Sequence, residues 1–156
     1  MYFYYIYKSK IGNIYIKTDE NYVYNINFIN LSSINQNIEY KKNIITEKVI
    51  NQLEEYFNGK RKSFELPVKL IGSEFQKKVW KELEKIPYGQ TKTYKDIAIK
   101  IGNQNASRAI GNANNKNPIA IVIPCHRVIG CNNKLIGYAG GIDKKIQLLE
   151  LEKNNK

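Results

Sequence analysis

Apolar and polar residues alternate in three short stretches near the start of the chain, Tyr2–Lys8, Asn13–Thr18 and Tyr22–Ile29. All three are rich in Tyr and Ile, and a period of two marks half-buried strands. Lys10–Asn13 and Asp19–Asn21 between them have turn composition, so the pattern predicts a three-stranded antiparallel meander. The alternation fades over Ile34–Lys42, which reads as loop. A helical period then runs from Thr46 to Asn58, with Ile45, Val49, Leu53, Tyr56 and Phe57 on its buried side and Gly59 as its cap. Phe64–Ile71, interrupted by Pro67, reads as a linker or an edge strand. The outcome is a small α/β unit without a cluster of reactive side chains.

The second half changes period. Ser73–Gln76 has the capping-box pattern, and Phe75, Val79, Leu83 and Ile86 mark the apolar stripe of the helix it opens. Pro87–Gly89 ends that helix; Thr93–Ile101 reads as a second, Gly102-Asn103 as a tight turn and Asn105–Asn114 as a third. Two short helices joined at a glycine have helix-turn-helix form, though an ordinary helical hairpin shares the pattern. On the third helix Ala106, Ala109 and Ala113 form a stripe of methyl groups, with Ser107 and Gly111 beside it. A full-width helix measures about 10–12 Å and the DNA minor groove about 6 Å, so a small-residue face suits that groove. Close helix–helix packing would use the same face equally well. Ile119–Ile123 reads as a short buried strand stopped by Pro124.

Charge separates the halves further. The chain has 156 residues and a net charge of +11. Residues 1–72 hold ten basic and seven acidic side chains, and residues 73–156 fifteen and seven. No acidic residue falls between Asp96 and Asp143, where Lys100, Arg108, Lys116, Arg127 and Lys134 lie. Such a window predicts a surface facing phosphates. Only three arginines occur in this Lys-rich chain, and two of them fall there; Arg outlasts Lys where a planar multi-donor head is required. With 42% hydrophobic residues a packed core is affordable. No apolar run approaches the roughly 20 residues of a membrane span, and the N-terminus lacks signal-peptide form. A cytoplasmic protein with no membrane partner is the expectation.

Chemistry concentrates after Pro124. Cys125 and Cys131 are the only cysteines and His126 the only histidine, too few for a four-ligand zinc site. A Cys125–Cys131 disulfide is conceivable, but reduced thiols fit a cytoplasmic chain better. A thiol becomes a strong nucleophile once ionised, and an imidazole is its natural base. In an extended backbone the adjacent Cys125 and His126 would point to opposite faces, so a relay through water is expected rather than direct contact. A carboxylate from a final helix, Asp143–Lys153, would orient His126.

Ile123-Pro-Cys-His-Arg-Val128, preceded by Asn117-Pro118 and followed by Gly137-Tyr-Ala-Gly-Gly141, resembles the O6-alkylguanine-DNA alkyltransferases. The resemblance covers nearly all of residues 73–152, including Ile86–Gln90, Thr93-Tyr94 and Ala106–Gly111; the first 70 residues fit only in size and type. It implies a ribonuclease H-like domain at 1–70 with an antiparallel sheet and helix. A helical, winged-helix-like domain with a helix-turn-helix would occupy 71–156.

By resemblance, Cys125 would irreversibly accept the alkyl group from O6-methylguanine in duplex DNA, or O4-methylthymine as an alternative, once per molecule and without cofactor. His126 would activate the thiol through a water, Glu152 would hold His126, and Tyr94 would donate near guanine N3. Arg108 would fill the stack vacated by a flipped nucleotide. Asn117 would bridge the helices and the reactive turn, while carbonyls of Cys125 and Val128 would accept the guanine amine. Tyr138 and the N–H of Ala139 would line the pocket. Ala106, Ser107 and Ala109 would meet the minor groove of double-stranded DNA, bound by a monomer. Ala139 stands where many relatives have Ser, Ala120 replaces a proline of some relatives, and the N-terminal zinc ligands of others are absent. A lesion-binding homologue would lack Cys125. A transcriptional regulator would not require Pro-Cys-His-Arg-Val, and a thiol hydrolase would not require the acid-free face.

Overall fold

β1 (Phe3–Ser9), β2 (Gly12–Thr18) and β3 (Val23–Phe28) pair in sequence order, each antiparallel to its neighbour. Tyr5 lies opposite Ile16 and Tyr7 opposite Ile14, so one face collects the apolar side chains. A register shift between Lys17 and Thr18 brings Val23 opposite Thr18, and Ile14, Ile16, Val23 and Ile26 are all buried. These are features of a computed structural model describing residues 1–156. Its chain divides into two compact units, Met1–Leu70 and Ile71–Lys156.

In the first unit α1 (Ile44–Phe57) packs on β1 and β2 through Val49, Ile50, Leu53 and Tyr56. It begins two residues before the expected Thr46, because Asn43 serves as its cap and accepts from the Thr46 N–H at 2.8 Å. Thr46 is instead buried within the first turn, its hydroxyl 3.1 Å from that of Thr18. A polar link thus ties the sheet to the start of the helix, a position that apolar periodicity does not reveal. Gly59 follows in the left-handed conformation, as its place after the helix requires. Val23 exchanges hydrogen bonds with the chain around Val68, donating to Pro67 O at 2.8 Å and accepting from Lys69 N at 3.0 Å. The Pro67 segment therefore lies at the sheet edge.

In the second unit α2 (Glu74–Glu84), α3 (Tyr94–Ile101) and α4 (Ser107–Asn115) pack on one another. The capping box at Ser73 and Gln76 is formed in both directions. Thr93 is the cap of α3 rather than its first turn, and it forms a second capping box with Asp96. Gly102, at φ 89, ends α3 in the left-handed conformation that suits glycine. Buried Trp80 of α2 donates its indole N–H to Ala113 O at 2.9 Å, locking α2 against α4. α5 (Ile142–Asn154) closes the unit. β4 (Lys92–Thr93) and β5 (Val128–Ile129) form a two-residue parallel pair beside the helices.

Ile119, Ala120, Ile121 and Ile123 are buried as expected, but the segment is not a strand. Ile121 has φ 72, Val122 N bonds Ala120 O at 2.8 Å and Ile123 N bonds Ile119 O at 3.0 Å, giving a tightly wound turn. A short apolar run reports burial but not conformation. A β-branched residue in this region costs roughly 1–3 kcal/mol, so the surroundings must enforce it.

Loss of the α3 cap is testable. Thr93→Ala is expected to destabilise the protein by about 1 kcal/mol in urea titrations, with Thr93→Ser retaining most of the wild-type stability.

Candidate active site

Cys125, His126 and Arg127 form a single 3-10 turn between Pro124 and β5, not the extended segment the sequence suggested. All three are buried. The turn is held by backbone and side-chain bonds: Arg127 N to Pro124 O at 2.9 Å, Val128 N to Cys125 O, and the Asn114 amide to Cys125 O at 3.3 Å. Asn117 braces the preceding coil, donating to Ile123 O at 2.7 Å and to Ile119 O at 3.4 Å while accepting from Ile119 N at 3.0 Å. These bonds enforce the positive φ of Ile121.

His126 meets Glu152 of α5 at 2.6 Å through Nε2. Glu152 also accepts a two-point contact from Arg127, Nε at 2.8 Å and Nη2 at 3.0 Å, and the Gly89 N–H at 3.1 Å. Arg127 uses Nη1 for Ile86 O at 2.7 Å, and its guanidinium lies 5.7 Å from the Tyr88 ring centre. Burial would raise the Glu152 carboxyl, but the hydrogen bonds from His126 and Arg127 and the Arg127 charge hold it well below the usual carboxylate range. Burial, reinforced by the Arg127 and Lys145 charges against the pull of Glu152, lowers the His126 imidazole and keeps it neutral. An ionised Glu152 requires a proton on Nε2, which leaves Nδ1 as the basic nitrogen. Nδ1 has no hydrogen-bond partner, so thiol and ring are not directly bonded.

Burial also pushes the Cys125 thiol up, opposed by Asn117 and Tyr138 within hydrogen-bonding reach of its sulfur and by the Lys145 charge. At neutral pH the sulfur is therefore a thiol. Tyr138 is buried beside it, and burial together with Cys125 and Glu152 raises its phenol well above the ordinary value. Tyr94, first residue of α3, donates its hydroxyl to Ile136 O at 3.2 Å. Burial and Cys125 raise its phenol too.

The remaining expected site residues separate by position. Arg108, Ser107 and Ala109 are exposed on α4, whereas Ala106 at its cap and Ala113 are buried. The methyl stripe is therefore divided: Ala106 and Ala113 serve packing, and Ala109 faces solvent with Arg108. Val128 O already accepts from Lys145 at 2.6 Å; Ala139 is exposed. Glu150, the neighbouring carboxylate of α5, points to solvent. Both cysteines are free, with Cys131 exposed. Of the basic residues in the acid-free window, Lys100, Arg108, Lys116 and Lys134 are exposed. Arg127 is not, so its place there reflects an internal ion pair rather than a phosphate contact.

Arg127, Asn114 and Lys145 are site residues that the sequence reading did not identify. Lys145, Leu148 and Glu152 recur at i, i+3 and i+7 and are all buried. That spacing was a usable signal for Lys145, hidden because a lysine does not count as apolar.

Residues 74–154 match the family model "6-O-methylguanine DNA methyltransferase, DNA binding domain", and residues 2–70 match the ribonuclease-like domain of the same name. A methylated-DNA–protein-cysteine methyltransferase of Methanosarcina barkeri is 48% identical over 158 residues, covering 98% of each chain. Its namesake from Methanosarcina mazei is 49% identical over 156 residues, again covering 98% of each. Among solved structures, Mycobacterium tuberculosis O6-methylguanine methyltransferase superposes with TM-score 0.89 at 39% identity, covering 100% of this chain and 95% of that one. The OGT of that organism in complex with DNA gives TM-score 0.88 at 41% identity, over 97% and 93% of the chains. The two-part fold, an antiparallel sheet with a helix followed by a helical unit, is shared with these proteins.

The buried His126–Glu152 pair predicts an acid-sensitive fold. Unfolded His126 gains a proton as pH falls through about 6.5, while the folded ring resists it, so stability declines below that pH. Glu152 acts with the same sign lower down: its stabilisation is present above about 4.3 and is lost as pH falls toward its depressed folded value. Urea midpoints are expected to drop from pH 7 to 4, and His126→Gln should flatten the upper part of that drop.

Proposed function

The chain belongs to the 6-O-methylguanine DNA methyltransferase family, and on that premise we propose that Cys125 receives the alkyl group from O6 of a guanine flipped out of duplex DNA. The activity is that of a methylated-DNA–protein-cysteine methyltransferase, DNA repair by alkyl transfer, and DNA is the partner. The observation carrying the assignment to Cys125 is the bond of 2.6 Å between His126 Nε2 and buried Glu152 in the turn that bears the only buried cysteine. It leaves a basic Nδ1 one residue from a thiol that needs deprotonation.

In this reading the thiol proton passes through a water to His126 Nδ1 and the thiolate attacks the alkyl carbon. A carbon–sulfur bond forms as the carbon–O6 bond breaks, and the electron pair of that bond enters the guanine. The Tyr94 hydroxyl, turning from Ile136 O, donates its proton near N3 as negative charge develops there; the imidazolium proton restores the phenol through solvent. A thioether has no route back to thiol at this site, so each molecule acts once. O4-methylthymine presents the same alkyl–oxygen bond and is the second substrate.

Extrusion costs a few kcal/mol of stacking and pairing. Exposed Arg108 on α4 is suited to fill the gap, and Ser107 and Ala109 beside it leave α4 narrow enough to approach the minor groove. Asn117 holds the reactive turn, Tyr138 walls the pocket, and the Ala139 N–H is available toward O6. Val128 O retains a second lone pair beside its Lys145 bond for a guanine amine. Cys125 O, already accepting from Asn114 and Val128 N, is the more crowded acceptor. The buried Ala106 supports α4 from behind. A monomer suffices, since every residue invoked lies within one unit of the chain.

Incubation with duplex O6-methylguanine DNA is expected to add one methylene mass to the intact protein, once per molecule, and none to Cys125→Ala. Repeated turnover, or binding without mass gain, would contradict the reading. Arg108→Ala should slow transfer from duplex at least about tenfold while sparing free O6-benzylguanine, since flipping accounts for a few kcal/mol.

A further inference from the structure

Lys145 lies on the buried face of α5 and exposes no surface. Its ammonium donates to three carbonyls, Val128 O at 2.6 Å, Ile136 O at 3.2 Å and Gly137 O at 3.4 Å. Those are all the donors an ammonium has. No carboxylate is among its partners, in contrast to Arg127, whose charge is matched by Glu152. An ammonium moved out of water and left with neutral acceptors is costly to keep.

The three carbonyls are not scattered. Val128 directly follows the Cys125–Arg127 turn, while Ile136 and Gly137 directly precede Tyr138, which reaches the Cys125 sulfur. Ile136 O also takes the Tyr94 hydroxyl. One side chain thus joins the nucleophile turn to the loop that delivers Tyr138 and the acceptor of Tyr94. Its charge is felt at the sulfur, and the sulfur is the one titratable group acting on Lys145.

We propose that Lys145 is a positioning residue that fastens the Ile136–Tyr138 loop to the Cys125 turn and supplies the buried positive charge facing the thiolate formed during alkyl transfer. The proposal rests on Cys125 being the alkyl acceptor. When His126 removes the thiol proton, the new negative charge forms in a site that already holds an ammonium without a counter-ion, so a cost of folding becomes a driving force for ionisation. Burial lowers the Lys145 ammonium to about 8, against the opposing pull of Cys125, so the charge is present at neutral pH. The other groups facing this region are His126, whose protonation the Lys145 charge disfavours, and Tyr138, which burial and the charges of Cys125 and Glu152 keep neutral. Asp143, on the same helix, is exposed and lies 3.4 Å from Lys144.

The thiol can be read directly by ¹³Cβ NMR of labelled cysteine in a Cys131→Ser background. Lys145→Met and Lys145→Gln are expected to raise the Cys125 titration midpoint by about one pH unit or more. Transfer from O6-benzylguanine at pH 7 should fall at least about tenfold and recover as pH is raised, one unit of acidity being one factor of ten in thiolate. A midpoint unmoved in a folded variant, or a rate loss that pH does not repair, overturns the proposal. Should both variants fail to fold, the reciprocal measurement decides. The Lys145 ¹⁵Nζ midpoint should fall in Cys125→Ser, and an unchanged value overturns the proposal. Failure of the wild type to take up a methyl group would defeat the acceptor assignment alone, since both NMR titrations would still report on Lys145.

Discussion

Glu152 is an ionised carboxylate enclosed near the end of α5, and such a group persists in a protein interior only when its lone pairs are filled and its charge matched. Here His126, Arg127 and the Gly89 N–H fill them. The three donors come from different places: two from the reactive turn and one from the Pro87–Gly89 corner after α2. Glu152 therefore fixes where the turn sits as well as which tautomer His126 adopts. Arg127 has a double part, because its permanent charge keeps Glu152 ionised and simultaneously opposes protonation of His126. A neutral ring with the proton on Nε2 and a lone pair on Nδ1 is the result.

Around that carboxylate the turn is made rigid by amides. Asn117 spans Ile119 and Ile123, and Asn114 holds the Cys125 carbonyl. Both side chains stem from α4 or the residues just after it, so the helix with exposed Arg108 also braces the Cys125 turn. The left-handed Ile121 is understandable in this setting. A β-branched side chain is held in a disfavoured conformation because it is buried, and because the bonds on either side leave the backbone no alternative. Strain of this sort is found where a side chain must be aimed.

Much of the fold was legible because it rests on local rules. The meander followed from alternation and turn composition, and α2 from its capping box. Boundaries slipped where a side chain rather than periodicity decides them, as at Asn43 and Thr93. Ile119–Ile123 departs from the expected strand because five consecutive apolar residues carry no period, and the backbone bonds that wind them are braced from outside the run by Asn117. At the site, Cys125, His126 and Glu152 were legible from their types and from resemblance, and the structure brings them into one turn and its partner helix. Arg127 and Lys145 were not, for a common reason. A basic residue in sequence reads as surface, and only contacts from distant segments reveal that its charge is internal.

The two internal cations divide the electrostatics between them. Arg127 has a carboxylate, and the pair is nearly neutral whatever happens at the sulfur. Lys145 has carbonyls only, so its field remains uncancelled until a negative charge appears nearby. Surface charge is a third, separate contribution: Lys100, Arg108, Lys116 and Lys134 stand in solvent without a single acidic residue among them in sequence. Exposed charge of that kind acts at a distance of about a Debye length and draws a polyanion irrespective of what it carries. Buried charge acts over a few ångströms in low dielectric and governs only the groups it faces. The basic excess of this half of the chain is therefore two systems: an outer one suited to holding DNA, and an inner one suited to making a thiolate.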